Sequence, residues 1–273
     1  MDLEVVDQRI YALEDRLTPE RAKAKADELK TKAFGMISGL LFGAKKEDID
    51  VTYVELRYEP YWHILCTTHL EYSRGREYGI DVDSTVVNVV LDGRKYEPEG
   101  RKLTLAATEN CVEDMRKEVF IDAASGKDGD FRKYSGSARR EIKETEELLA
   151  GETIVVPAKV KASHLTRNLL GEMLKPVPAD EILVEQIRIE KLHLYFRPIY
   201  AFEYVWRPKN KTASLEFDAV TLGVKSGGKP LRQKMRELVS EPDLFDIGAE
   251  AVGMLVPGGG LALKMARRAV KKK

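Results

Sequence analysis

Two cysteines, Cys66 and Cys111, are all that 273 residues supply, and two do not make a disulfide framework. Charge of one sign is not in excess either. The 45 Lys and Arg balance the 45 Asp and Glu, so the basic bias of a general nucleic-acid binder is missing. Long apolar runs are absent. The longest uncharged stretches, 33–44 and 251–263, fall short of the roughly 20 residues that cross a bilayer. The opening segment, MDLEVVDQRIYALEDRL, is charged throughout. It has no basic start followed by an apolar stretch, so no secretory signal is read and a cytoplasmic, soluble protein is expected. Catalytic signatures are lacking as well: there is no G-x-S-x-G, H-E-x-x-H, Walker A or G-x-G-x-x-G.

What is present suits a folded chain. Apolar residues make up 43% and charged residues 33%, too hydrophobic for intrinsic disorder and richer in charge than usual. The length allows one large domain or two modest ones with a well-buried core.

The chain repeats itself. Shifted by 138 positions, Val54 meets Leu192, Leu56 meets Leu194, Tyr58 meets Phe196 and Pro60 meets Pro198. Upstream, at an offset of 136, AKAKADELKTKAFG from Ala22 matches AKVKASHLTRNLLG from Ala158 at six positions. Ala22, Ala26, Leu29 and Ala33 share one helical face, as do Ala158, Ala162, Leu165 and Leu169. Thr18 followed by Pro19 reads as an N-cap with proline at the first helical position. After each helix, apolar residues alternate with period two, the pattern of a half-buried strand. Pro60 and Pro198 are expected to end that strand. A second strand follows from Tyr61 or Ile199, then turns at Ser73 and Arg207, then a third strand. Segment 111–126 reads as strand, turn, strand, and 124–137 as a loop.

The expected fold class is therefore α+β: two related units, each a helix followed by a three-stranded antiparallel meander, with extra N- and C-terminal helices. The N-terminal helix, 1–18, carries Leu3, Val6, Ile10, Leu13 and Leu17 as a short heptad seam, packed on its own domain or dimerising. The first unit spans 19–123. A loop and a charged helix capped by Ser137 fill 124–150. The second unit spans 151–228, and a helical segment with a basic tail fills 229–273.

The second unit closes on a turn of Asp-Ala-x-Thr-Gly type, Asp218, Ala219, Thr221 and Gly223; Asp122, Ala123, Ser125 and Gly126 echo it more loosely, while the first meander's own counterpart, DVDSTV from Asp81 with Asp83 matching Asp218, lacks both the Ala and the Gly. Helix, meander and closing turn together resemble the PepSY and cystatin-like modules, over about a third of the chain. Leu222 is an insertion in the motif. The resemblance implies a non-enzymatic binding or inhibitory module.

Candidate chemistry is sparse. His63, Cys66 and His69 lie close in sequence, but on a strand Cys66 points away and the two imidazoles stand about 20 Å apart. No metal site is assigned. Three carboxylates in DAASGKDGD from Asp122 lack the ligand spacing of a calcium loop. No catalytic residue and no cofactor are assigned. Aromatics interleaved with arginine are plentiful, and cross-strand packing, a partner interface and base stacking all use them. The candidates for partner contact are Tyr58, Tyr61, Trp62, Tyr200, Tyr204 and Trp206. At the C-terminus, Lys264, Arg267, Arg268, Lys271 and Lys272 follow a Pro-Gly-Gly-Gly turn and are candidates for an anionic membrane surface or another anion. The expected function is a non-enzymatic scaffold that binds a protein partner or itself through sheet faces and terminal helices; nucleic acid is disfavoured. The alternatives are peripheral membrane or anion binding through the basic tail, and a ligand-binding or enzymatic pocket between the units where Arg57, Tyr61 and His63 converge.

Overall fold

Alternation of period two runs on far beyond Pro60. In the computed structural model, which describes residues 2–34, 45–227, 230, 231, 233 and 234, strand β3 is unbroken from Ile49–Asp81, 33 residues. Two others are nearly as long: β9 (Glu181–Trp206) with 26 and β6 (Lys102–Asp122) with 21. The remaining strands are β1 (Asp2–Val5), β2 (Gln8–Leu13), β4 (Val89–Leu91), β5 (Arg94–Tyr96), β7 (Arg139–Ile142), β8 (Ile154–Val155), β10 (Lys211–Asp218) and β11 (Val224–Gly227). All but β4 and β5 join one mixed nine-stranded sheet. Among the described residues the α-helices are α1 (Pro19–Leu29) and α2 (Ala162–Met173).

This corrects the expectation of two helix-plus-meander units with extra terminal helices. What looked like three meander strands in the first unit is β3 alone, with no turn at Ser73. The expected strand, turn and strand of 111–122 are part of β6.

The prolines misled because their surroundings were not visible. Pro60 accepts the Ala123 N–H at 3.0 Å, so its nitrogen, on the same side, faces the joint where β6 ends opposite Tyr61 and β8 pairs with Arg57 and Tyr58. Pro198 accepts the Ala219 N–H at 3.0 Å, at the joint between β2, ending at Phe196, and β10, beginning at Ile199. Each proline sits where the ladder asks for no donor.

The central pairing is reciprocal. β3 runs antiparallel to β9 with Glu59 opposite Arg197, Tyr61 opposite Tyr195 and Arg57 opposite Ile199. Residues 59 and 197 are also 138 positions apart, the offset used to compare the sequence with itself. Strand β2 lies parallel on β9, and β8 parallel on β3. Helix α1 then follows β2, and α2 follows β8. By that correspondence Pro19 matches Ala162, an offset of 143, about two helical turns from the sequence alignment. Ala158 accordingly lies before α2 and not in it.

The N-terminal segment is strand, not helix. Asp2–Val5 and Gln8–Ala12 pair with 186–189 and 192–196 of β9. Its five heptad residues share no face: Leu13 and Leu17 are buried while Val6 is 49% exposed. The charged helix expected after Ser137 is strand β7 on β2, then a short turn of 3₁₀ helix at Thr145–Leu148. The C-terminal helical segment lies outside the described residues beyond Lys234.

Both helices cover the same sheet face. Trp62, Ile64 and Cys66 of β3 and Leu192, Leu194 and Phe196 of β9 pack with Leu165, Leu169 and Met173 of α2. Further along that face of β9, Tyr200, Phe202, Tyr204 and Trp206 pack with Ala22 and Ala26 of α1. The N-cap is as expected: Thr18 Oγ1 accepts the Arg21 N–H at 3.4 Å, with Pro19 in the first turn. On the opposite face, the loop after β6 brings Phe131 and Tyr134 onto Tyr61 and Tyr195.

Candidate functional site

On the face away from the helices, β3 presents Glu55, Arg57, Glu59, Tyr61 and His63 in turn. Arg57 is fully buried. Its Nη1 donates to Glu55 at 2.5 Å and its Nε to Glu59 at 2.7 Å. Its Nη2 lies 2.8 Å from Glu216, close enough for an ion pair yet too poorly aligned for a hydrogen bond. Lys234 closes the far side of Glu216 at 2.7 Å, and Arg197 Nη2 reaches Glu59 at 2.5 Å. Burial alone would raise the Glu59 pKa; the Arg57 and Arg197 guanidiniums hold it down to about 2. Burial also acts against the Arg57 charge, but Glu59 and Glu216 outweigh it and raise its pKa. The result is a neutralised charge network held within the sheet.

Tyr61, next on that face, is stacked between Phe131 at 4.6 Å and Tyr195 at 5.1 Å. His63 stands directly opposite His193, their rings edge-on at 6.1 Å. His63 Nε2 meets Glu118 at 2.8 Å, and His193 Nε2 meets Asp7 at 2.9 Å. Burial lowers the pKa of both imidazoles more than these carboxylates raise it. An ionised carboxylate only accepts, so the imidazole Nε2–H is the donor in each of these contacts. Arg57, Tyr61 and His63 do share a face, but the seam between them is filled with side chains.

His63, Cys66 and His69, to which no metal is assigned, have separate surroundings. Cys66 is on the helix face, buried, its thiol pKa pushed up to about 11 by burial. His69 is bound by Asp114 at 2.7 Å and Glu71 at 3.0 Å. No group of three His, Cys, Asp or Glu suited to a metal occurs among the described residues. Asp122 Oδ1 is taken by the N–H groups of Ala124 and Ser125, at 3.1 and 2.8 Å.

Of the six aromatics named for partner contact, Tyr61, Trp62, Tyr200, Tyr204 and Trp206 are at most 4% exposed, and Tyr58 packs beside the α2 core. The Tyr204 hydroxyl donates to the Ala26 carbonyl at 2.9 Å, and Tyr200 to Asp15 at 3.1 Å. Their surface is committed to the interior. Lys264, Arg267, Arg268, Lys271 and Lys272 lie outside the described residues. Among the described residues no helix is long and apolar enough to cross a membrane.

The accessible feature is an edge. β3 pairs with β6 from Tyr61 to Asp81, but β9 reaches only as far as Ser73. Beyond it, 74–81 and 102–109 form a two-stranded ribbon, tipped by the β4–β5 hairpin. Tyr78, Ile80, Val87, Val90 and Leu91 of this ribbon are 42–81% exposed. On its outer side β6 has no strand partner among the described residues. Near its end it flanks an open groove of about 640 Å³, walled by Val119 and Ile121 on one side and Leu165 and Leu169 of α2 on the other. Sequence reasoning missed this edge, although a signal existed: no Gly or Pro occurs from Lys102 to Asp122.

No family model, curated protein or solved structure matches the chain.

Proposed function

We propose that this chain is a non-enzymatic interaction protein that docks a protein strand along the outer edge of β6 and the ribbon beyond it. One observation carries the reading: a 21-residue strand has a single hydrogen-bonded neighbour among the described residues. A long row of unpaired backbone donors and acceptors is a template for an added strand, with main-chain bonds giving affinity and alternate side chains giving selectivity. The exposed apolar ribbon supports the same reading, because two strands alone are marginal in water. The filled seam around Tyr61 supports a structural role for the buried polar groups.

Site-specific photo-cross-linking tests the proposal. A photoreactive residue at Val112 on β6, or at Val90 on the ribbon tip, is expected to give discrete protein adducts in the producing cells. One at Leu149, equally exposed at 57% but remote in sequence from the edge, is expected to give none. The same adducts from all three positions, or none from Val112, would overturn it.

A further inference from the structure

Resting on the reading of β6 as a docking edge, we infer that its occupant is a second copy of this chain, paired antiparallel through β6 about Met115.

The first step fixes which backbone groups point outward. In a strand the N–H and C=O of one residue share a side, and neighbours alternate. The Pro60 carbonyl faces Ala123, on the β6 side, so even-numbered residues of β3 bond to β6 from there onward. The β3–β6 register runs without a shift from Tyr61 opposite Asp122 to Asp81 opposite Lys102. Odd-numbered residues of β6 therefore bond to β3, and even-numbered ones point out. The end of the strand agrees: Phe120 accepts the Gly129 N–H at 3.3 Å, and the Asp122 N–H reaches the Lys127 carbonyl at 2.8 Å. Those bonds close the edge there and leave it open from Thr104 to Glu118.

The second step fixes the register. An isologous pair brings each residue against its counterpart about a two-fold. Outward groups must meet outward groups, so the axis passes through a residue and not between two. An axis at Met115 sets Asp114 opposite Arg116 of the second copy, and Glu113 opposite Lys117, each twice by symmetry. No like charges meet. An axis at Glu109, Glu113, Asp114, Arg116, Lys117 or Glu118 sets a charge against itself, and one at Cys111 sets Glu109 against Glu113. No other axis within the strand gives more than one distinct opposite-charge pair. Opposite charges directly across an antiparallel pair stabilise it, and like charges destabilise it. Asp114 and Arg116 share one sheet face and Glu113 and Lys117 the other, so both faces match. Met115, 37% exposed, meets Met115 of the second copy as a non-hydrogen-bonded pair, whose Cα atoms approach to about 4.5 Å.

Charge exchange and cysteine pairing test this. Sedimentation is expected to show a dimer for the wild-type chain. Asp114→Arg and Arg116→Asp are each expected to weaken it at least tenfold, by facing two like charges twice. An equimolar mixture of the two variants restores both pairs and is expected to regain the dimer. In a Cys111→Ser background, Met115→Cys is expected to give a covalent dimer under mild oxidation. Val112→Cys, which faces Glu118, is expected to give none. Melting temperatures of all variants check that each folds, and the mixture and the cysteine pair report register whatever Asp114 contributes to its own subunit through His69. A mixture no tighter than its components, or equal cross-linking at 112 and 115, overturns the inference. A monomeric wild type that still gives photo-adducts at Val112 with another protein removes self-pairing and leaves the docking edge standing. A monomer without adducts removes both.

Discussion

Arg57 brings a full charge into the sheet, and its neighbours make that tolerable. Glu55 is 1% exposed at its side chain and Glu59 16%, so removing the guanidinium strands carboxylates that water barely reaches. Arg57→Ala is expected to cost about 3–5 kcal/mol, the usual result of breaking a buried ion network from one side. A fall in the urea midpoint at unchanged slope measures it. The paired histidines give a pH signature. Both are held below their ordinary 6.5 by burial. Just under that value the unfolded chain binds protons that the native chain refuses. Their contribution is thus complete above 6.5 and is lost as the pH falls below it. Melting temperature is expected to drop between about pH 7 and 5, and His63→Asn with His193→Asn to flatten that drop. An equally steep curve in the double variant would assign the drop to other groups.

At the scale of elements, two Asp turns do similar jobs with unequal support. Asp122 Oδ1 accepts the N–H groups of Ala124 and Ser125. Asp218 Oδ1 accepts those of Val220 and Thr221, at 3.1 and 2.9 Å. The following alanine of each turn donates to Pro60 or Pro198. Asp218 also accepts the Tyr134 hydroxyl and lies 3.6 Å from Arg197. Asp122→Ala is expected to cost about 1 kcal/mol, in the range of an ordinary turn bond. Asp218→Ala should cost about 2–4 kcal/mol, because it also leaves buried polar groups unpaired. Chemical denaturation of the two variants side by side ranks them, and equal losses would mean the Tyr134 contact adds nothing.

For the whole molecule, the sheet divides into a body and a ribbon. The body has helices over one face and the loop after β6 over the other, whereas among the described residues the ribbon beyond Ser73 has neither helix nor third strand. Joining Arg74 to Glu109 through Asn-Gly keeps their hydrogen-bonded pairing and suits a two-residue hairpin turn. The body is expected to stay folded, with a melting temperature within about 5 °C of the full chain. A collapse of the circular-dichroism signal on excision would show that the ribbon holds the body together.

Local chemistry was legible in the sequence. Thr18 and Pro19 cap α1 because a hydroxyl and a ring lacking N–H suit that position in any fold. The Ala162, Leu165 and Leu169 face, the Asp turns and the turn at Arg207–Lys209 were readable for the same reason, since each depends on residues a few positions apart. Tertiary structure decided what depends on distant partners. Asp2–Val5 is a strand because 186–189 of β9 offers an edge, and Pro60 and Pro198 interrupt nothing because two shorter strands meet beside each of them. The same distance hid the fate of the aromatics and the open side of β6. Whether a face is covered is settled by elements far along the chain, and no local pattern of residues encodes that.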